Sequence, residues 1–315
     1  MLRKLSEYDE RFKVAGSVND FEPPTFLQTA TAISKSVVRK LIPNILILEL
    51  WAIAIVLIDE YVYAFPEFSI TPTELFGAAI GILIVFRTNA GHDRWWEARK
   101  VWGGIVNQCR NYGIASLSYG PKDLVWREKI IESIAAFPYA VKDNLRDLPY
   151  CPSATRILEH EIAATNGLHM PSVISMESAV LNEEAHSEHK ISELAFFKLE
   201  EERSKLIDYT GKCERIKSTP MPLAYAIEVR RILLIFLILA PITLVGEAGL
   251  YTPLVILLAG YPFLALDQIG QDLQSPFALE SVSHLPLDNI CQMIEKNLAE
   301  LLIQSNKDID KKPKS

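Results

Sequence analysis

LFGAAIGILIVFRTNAGHDRWWEARK, residues 75–100, decides the fold. Its first part, Leu75 to Phe86, is apolar and begins with small residues. It runs directly into a polar, basic stretch from Arg87 to Lys100. A short run with small residues and a polar exit suits a position inside a helical assembly better than one alone in lipid. Ala78, Ile82 and Phe86 follow i, i+4, i+8 and so share one helix face. On a pore helix such a stripe forms a constriction that gates by wetting and dewetting. Ordinary helix packing is the competing explanation. Gly77 and Gly81, with Ala78 beside them, have the spacing that lets helices pack closely in a membrane.

The rest of the chain repeats this alternation of apolar and charged blocks. The whole sequence of 315 residues has net charge −7, 49% apolar and 23% charged residues, and mean hydropathy +0.14. That excludes a disordered or collagen-like chain, and the acidic balance gives no field for nucleic acid. No Lys or Arg occurs between Lys40 and Arg87, or between Arg231 and Lys296. Each gap holds two apolar runs. The first holds Asn44–Ile58 and Leu75–Phe86; the second holds Ile232–Gly246 and Leu250–Leu266. About 20 apolar residues cross a bilayer, so with their flanks the first and third runs qualify, while the other two are shorter. The expectation is an all-α membrane protein with four transmembrane helices in two hairpins, against a large soluble helical protein as the alternative.

Cations set the orientation. Lys35, Arg39 and Lys40 precede the first run, Arg87, Arg94, Arg99 and Lys100 follow the second, and Arg230 and Arg231 precede the third. The turns Asp59–Glu74 and Glu247–Pro253 carry acids and no Lys or Arg. The positive-inside rule therefore puts both termini and the middle segment in the cytoplasm of a multi-pass cell-membrane protein. Tyr61, Tyr63, Phe65, Phe68 and Tyr251 would form an outer aromatic belt. The hairpins span about 42–90 and 228–270. A helical cytoplasmic body covers about 91–227 and 271–305, and a Lys-rich tail covers 306–315, all within one domain.

In the body, Arg94–Ser116 and Leu124–Leu145 read as helices, with Pro138 expected to kink or break the second. Asp147–Asn182, with Pro149, Pro152, Asn166-Gly167 and Pro171, reads as an irregular connector. Ile191–Lys212 reads as a helix with Leu194, Phe197, Leu206 and Tyr209 inside and Lys198 through Arg203 and Lys205 outside, Leu199 excepted. Asn289–Ile303 reads as amphipathic. Cys109, Cys151, Cys213 and Cys291 form no Cys-x-x-Cys pair and are expected as reduced thiols.

Little in the sequence points to catalysis. His186 and His189 among Glu183, Glu184 and Glu188 lack a third positioned ligand, so a solvated polar helix start is expected rather than a metal site. No nucleophile–base pair, phosphate loop or cofactor motif is present, so an enzyme is not expected. Acids near the apolar runs, Asp59, Glu74, Glu247, Asp267 and Asp272, lie at run ends within reach of water. Glu49 lies inside the first run and is a candidate for a coupled transporter.

Phe86–Asn111 resembles the signature after the second transmembrane helix of the bestrophin family, through Arg87, Asn89, Arg94, Trp95, Trp96 and Glu97. Ile216–Tyr225, with Pro222, and Ser275-Pro276-Phe277 are similar to two further family motifs in the same order. The likeness spans about Ser34 to Leu302 and is of the bacterial and fungal type. It implies a pentamer around one pore that conducts chloride and other monovalent anions, although some bacterial relatives pass cations. It places the neck on Ala78, Ile82 and Phe86, with Ala78 smaller than the usual first ring. It places a cytoplasmic aperture near Leu194, or at Ile191 or Phe197 if the middle segment carries a gap. The animal members' calcium-binding acidic run has no counterpart after Phe277, where Glu280 stands alone, so no calcium site is expected.

Overall fold

The computed structural model describes residues 25, 27, 37–66, 68–148 and 168–310, with backbone only for 308–310. Lys35, Glu67, Cys151, most of the expected connector and the end of the Lys-rich tail lie outside the described residues. The chain forms two units, 1–40 and 41–315. Among the described residues there is no strand.

The helices are α1 (Val38–Tyr61), α2 (Thr71–Tyr119), α3 (Leu124–Leu145), α4 (Met170–Ser187), α5 (Glu193–Ser218), α6 (Leu223–Ala248), α7 (Thr252–Leu273) and α8 (Leu287–Asp310). A single 3-10 turn, Gly249–Tyr251, joins α6 to α7. Three stretches are long and apolar enough to cross a membrane: Val38–Tyr61, Thr71–Tyr119 and Glu193–Leu273. The last contains both α6 and α7.

Two large apolar clusters lie along α2, and a third, small one of Ile55, Val56 and Val245 joins α1 to α6. Leu48, Ala52, Ile80, Ile84, Leu233, Phe236 and Ile256 bury one apolar cluster where α1, α2, α6 and α7 meet. A second cluster fills the helical body around Trp102, Tyr112, Phe137, Leu199 and Leu298. α2 packs on α7 and α6 in its first half and on α5, α3 and α8 in its second. It thus belongs to both layers and ties them together.

Several expectations change. Arg94–Ser116 is no separate helix: α2 continues without a break from the apolar run through the polar exit. The expected connector contains α4, because Pro171 sits at its start, where a missing N–H costs nothing. α3 runs unbroken through Pro138. His186 and His189 lie at the end of α4, not at a helix start, and His186 stacks on Phe196 with ring centroids 4.8 Å apart. Glu202 is not on the outer face of α5; it is buried and accepts from Gln108 Nε2 at 2.7 Å. Asp267 and Asp272 are buried rather than solvated.

The close helix approach also differs from the expected one. Gly77 and Gly81 make room for rings, Phe236 of α6 and Phe263 of α7. The tight crossing lies about three to four turns further along α2. A Cβ on Gly91 would sit 2.8 Å from the Gly270 carbonyl oxygen of α7, a contact no side chain movement can relieve. Gly91→Ala should therefore destabilise the protein by roughly 1–3 kcal/mol. Gly81→Ala, whose Cβ would meet Phe263 at an ordinary 3.7 Å, should leave thermal unfolding in detergent nearly unchanged.

At the inner end of the body, Asp288 accepts from Lys142 Nζ at 2.8 Å and Arg146 Nη1 at 2.7 Å. Desolvation raises the Asp288 pKa, but these hydrogen bonds outweigh it and hold the carboxyl below its ordinary range. A depressed carboxyl stabilises the fold above its unfolded pKa, and that contribution is lost as pH falls through the folded value. Asp288→Asn should unfold at lower temperature than the parent at pH 7. The gap should close in acid, as measured by melting across a pH series.

Candidate functional site

The face of α2 that carries Ala78, Ile82 and Phe86 has no partner among the described residues. Ile82 is 58% and Phe86 62% exposed, and Ala78 is exposed with them. The stripe continues at the same spacing through Asn89 and Asp93 and on to Asn107, Asn111 and Ile114, all exposed. One side of a 49-residue helix is therefore left open, apolar in the first part and polar beyond Phe86. A face turned to lipid alone would not carry Asn89 and Asp93 next to its apolar half.

Opposite this stripe, the motif residues fasten α2 to its neighbours. Arg87 is 2% exposed and pairs with Asp267 of α7. Asp267 also accepts from Arg230 Nε of α6 at 2.9 Å, and Arg230 bonds Gln271 of α7. One carboxylate thus joins three helices. Arg94 donates to the backbone carbonyls of Ile216 and Thr219 at the end of α5 and to Gln274, just past α7, the last at 2.8 Å. Trp95 Nε1 donates to the Ser283 carbonyl at 2.7 Å. Glu97 pairs with Arg215 of α5 at 2.8 Å, and Trp96 stacks against Trp95.

The remaining motif residues shape the joints. Pro222 stands at the start of α6, where its carbonyl accepts from Tyr225 N at 3.1 Å. The Pro276 carbonyl accepts from Leu285 N at 2.8 Å, and Phe277 is buried in the body core. Most of the signature is therefore an anchoring set, while Asn89 lies on the open stripe. Arg87 and Arg94 are both engaged within the chain, Arg87 on a carboxylate it shares with Arg230 and Arg94 on backbone carbonyls.

Leu194 stands at the start of α5 and is 83% exposed, and Phe197 one turn on is also exposed. The expectation that both lie inside is wrong, because nothing among the described residues covers this end of α5; Leu206 is buried and Tyr209 half-buried. Ile191 is buried in the body core, so its side chain does not reach an opening. Glu49 is half-buried in α1, with Oε1 enclosed and without a hydrogen-bond partner among the described residues. Cys109, Cys213 and Cys291 are buried free thiols. Among the described residues no group of three or more His, Cys, Asp or Glu is gathered as for a metal.

Comparison with known proteins agrees with this layout. Residues 20–300 match the family model described as bacterial/fungal bestrophin protein. The chain belongs to this family. A voltage-dependent anion channel-forming protein of Mesorhizobium japonicum is 31% identical over 283 residues, covering 89% of this chain and 90% of the relative. The voltage-dependent anion channel-forming protein YneE of Escherichia coli K12 is 29% identical over 271 residues, with 84% and 88% covered. The crystal structure of a bacterial bestrophin homologue from Klebsiella pneumoniae superposes with a TM-score of 0.74 at 26% identity, covering 83% of this chain and 98% of that one. Together with the apolar helices, these relatives make the chain an integral membrane protein of the bestrophin fold.

The Arg87–Asp267 pair is the residue-level signal that the sequence hides, since its members lie 180 positions apart. Breaking a buried pair leaves one charge without compensation and costs roughly 3–5 kcal/mol. Asp267→Asn should therefore melt well below the parent in detergent. The double variant Arg87→Met/Asp267→Leu, which leaves no buried charge, should recover much of the loss in the same assay.

Proposed function

We propose that this chain forms a passive ion channel of the bestrophin type, conducting chloride and other monovalent anions. The observation that carries the proposal is the unpartnered stripe of α2, apolar at Ala78, Ile82 and Phe86 and polar beyond. Five copies arranged about an axis would bring these stripes together and cover them. Each subunit would cross the cell membrane four times, by α1, the first half of α2, α6 and α7, with both termini in the cytoplasm. Leu194, or Phe197 beside it, would form a second constriction on the cytoplasmic side.

In this arrangement the neck offers hydrocarbon and ring edges in place of water. An ion that sheds its hydration at low cost passes; a strongly hydrated one does not. The positive edges of the Phe86 rings favour a partly dehydrated anion. Ala78 is small, so the outer part of the neck would be wider than the part at Ile82 and Phe86. The names given to the Mesorhizobium and Escherichia relatives support anion conduction. The chain would act as a channel and not as an enzyme.

One observation favours a second possibility, a monovalent cation channel of the same fold. Arg87 and Arg94 are both engaged within the chain, while the turn after α1 is acidic through Asp59 and Glu60, and Glu74 opens α2. Such a mouth enriches cations. Recording purified protein in a planar bilayer under opposed sodium and chloride gradients separates the two. A reversal potential that follows chloride is the expected result; one that follows sodium overturns the anion assignment. Ile82→Ala/Phe86→Ala should raise conductance and weaken ion selection, and unaltered currents would show that the neck lies elsewhere.

A further inference from the structure

Between α1, α6 and α7 lies a cavity of about 680 Å³. Its wall is sorted by polarity along the helix axes. Asn44 of α1, Arg230 of α6 and Asp267, Gln268 and Gln271 of α7 line one end. This end lies at the edge of the apolar layer, where α1 and α6 begin and α7 finishes. Further in, the wall is Ile47, Leu48, Leu233, Leu234, Leu237 and Leu264, with Ile47 and Leu234 exposed. At the far end Trp51 Nε1 donates to the Ile238 carbonyl at 3.0 Å and ties α1 to α6. From Asn44 to Trp51 the wall runs about 10 Å, at about 1.5 Å per residue.

The polar end carries one positive charge in excess. Arg87 and Arg230 both pair with Asp267, and among the described residues neither is bonded to another acid. Arg87 is enclosed, so Asp267 is committed to it. Arg230 is the outer partner, with a side chain 45% exposed. Its Nε reaches Asp267 Oδ2 at 2.9 Å, its Nη2 bonds the neutral Gln271, and its Nη1 bonds nothing among the described residues. Asp272, the next acid on α7, accepts from Gln268 Nε2 at 2.9 Å and from Val282 N at 3.4 Å, and it does not line the cavity. A basic pocket between membrane helices at the edge of the apolar layer suits an anionic lipid headgroup.

We propose that this cavity holds an anionic phospholipid, its phosphate on Arg230 beside Asn44 and Gln271 and one acyl chain along Ile47, Leu233 and Leu234 toward Trp51. One molecule with a negative head and a hydrocarbon tail matches both ends of the wall at once. Its single charge compensates the second arginine and leaves Asp267 to Arg87. A zwitterionic lipid brings a positive charge with its phosphate and leaves the excess in place. No residue of the α2 stripe lines the cavity, so the site is distinct from the neck. It rests on the chain being a membrane protein, not on which ion the chain conducts.

A fluorescence exchange reads the site without current. Full-length protein is reconstituted at fixed ionic strength into bilayers of phosphatidylcholine with brominated acyl chains, which quench tryptophan on contact. Trp51 is the one tryptophan on α1, α6 or α7, and Trp51→Phe gives the share of the signal from the other four. Unbrominated phosphatidylglycerol should displace the quenching lipid about fivefold more readily than unbrominated phosphatidylcholine, the preference of about one cation. Arg230→Gln should abolish the preference. Gln271→Glu should do the same, because it keeps Arg230 and balances its charge. Gln271 is exposed, so its variant decides the matter if Arg230→Gln does not fold. No quenching of Trp51, as when another copy of the chain covers the cavity, would overturn the proposal. So would equal displacement by phosphatidylglycerol and phosphatidylcholine, phosphatidylethanolamine matching phosphatidylglycerol, or a preference unchanged in either folded variant.

Discussion

A single carboxylate, Asp267, holds the architecture together. It lies on α7, accepts from Arg87 of α2 and from Arg230 of α6, and is nearly enclosed. Arg87 could not be left unpaired in such surroundings, since an uncompensated buried charge costs several kcal/mol, whereas Arg230 is partly exposed to solvent. The pairing therefore does more than add stability. It fixes the rotation of α2 about its own axis, because Arg87 must face α7. Phe86 precedes Arg87 by one residue, about 100° around the helix, and so is turned away from that contact. The open apolar stripe is the geometric counterpart of the buried ion pair.

The same logic runs along the signature. Arg94 satisfies carbonyls at the end of α5 and beyond α7 that helix geometry leaves without partners. Trp95 ties α2 to the segment after Phe277, and Glu97 ties it to α5. These bonds all start on α2 and reach α5, the end of α7 and the segment after Phe277. Among the described residues this leaves a long helix with partners on one side only, and the residues of the other side are open to water, ions or another copy.

The sequence made some of this legible and hid the rest for identifiable reasons. α3 could be read to its boundaries, because Asp123 caps it by accepting from Val125 N and Ile130, Ile134, Phe137 and Val141 keep a helical period. The shared face of Ala78, Ile82 and Phe86 was legible for the same reason: it depends only on local spacing. α4 was not, since Pro171 and the turn-forming residues before it look like a loop unless the proline is recognised as a helix start. The polar exit after Phe86 looked like a helix end, although the backbone stays helical through it and the Thr88 hydroxyl folds back onto the Ile84 carbonyl. Contacts such as Arg87 with Asp267, or Gly91 with Gly270, join residues about 180 positions apart. Only the folded chain brings them together, and no local pattern announces them. Leu194 and Phe197 were misplaced because an apolar residue at the right period looks the same whether it meets a core or a neighbouring molecule.

The tight crossing at Gly91 and Gly270 gives α2 a mechanical character. Thr71 lies about 30 Å from it along the axis and Tyr119 about 42 Å on the other side, at about 1.5 Å per residue. A rigid rod held at such a point behaves as a lever with a fulcrum at Gly91. Phe86 sits about 7.5 Å from the fulcrum and Ala78 about 20 Å. A small tilt driven from the body therefore displaces Ala78 about two and a half times as far as Phe86. The aromatic end of the stripe lies close to that crossing, and the small-residue end lies far from it.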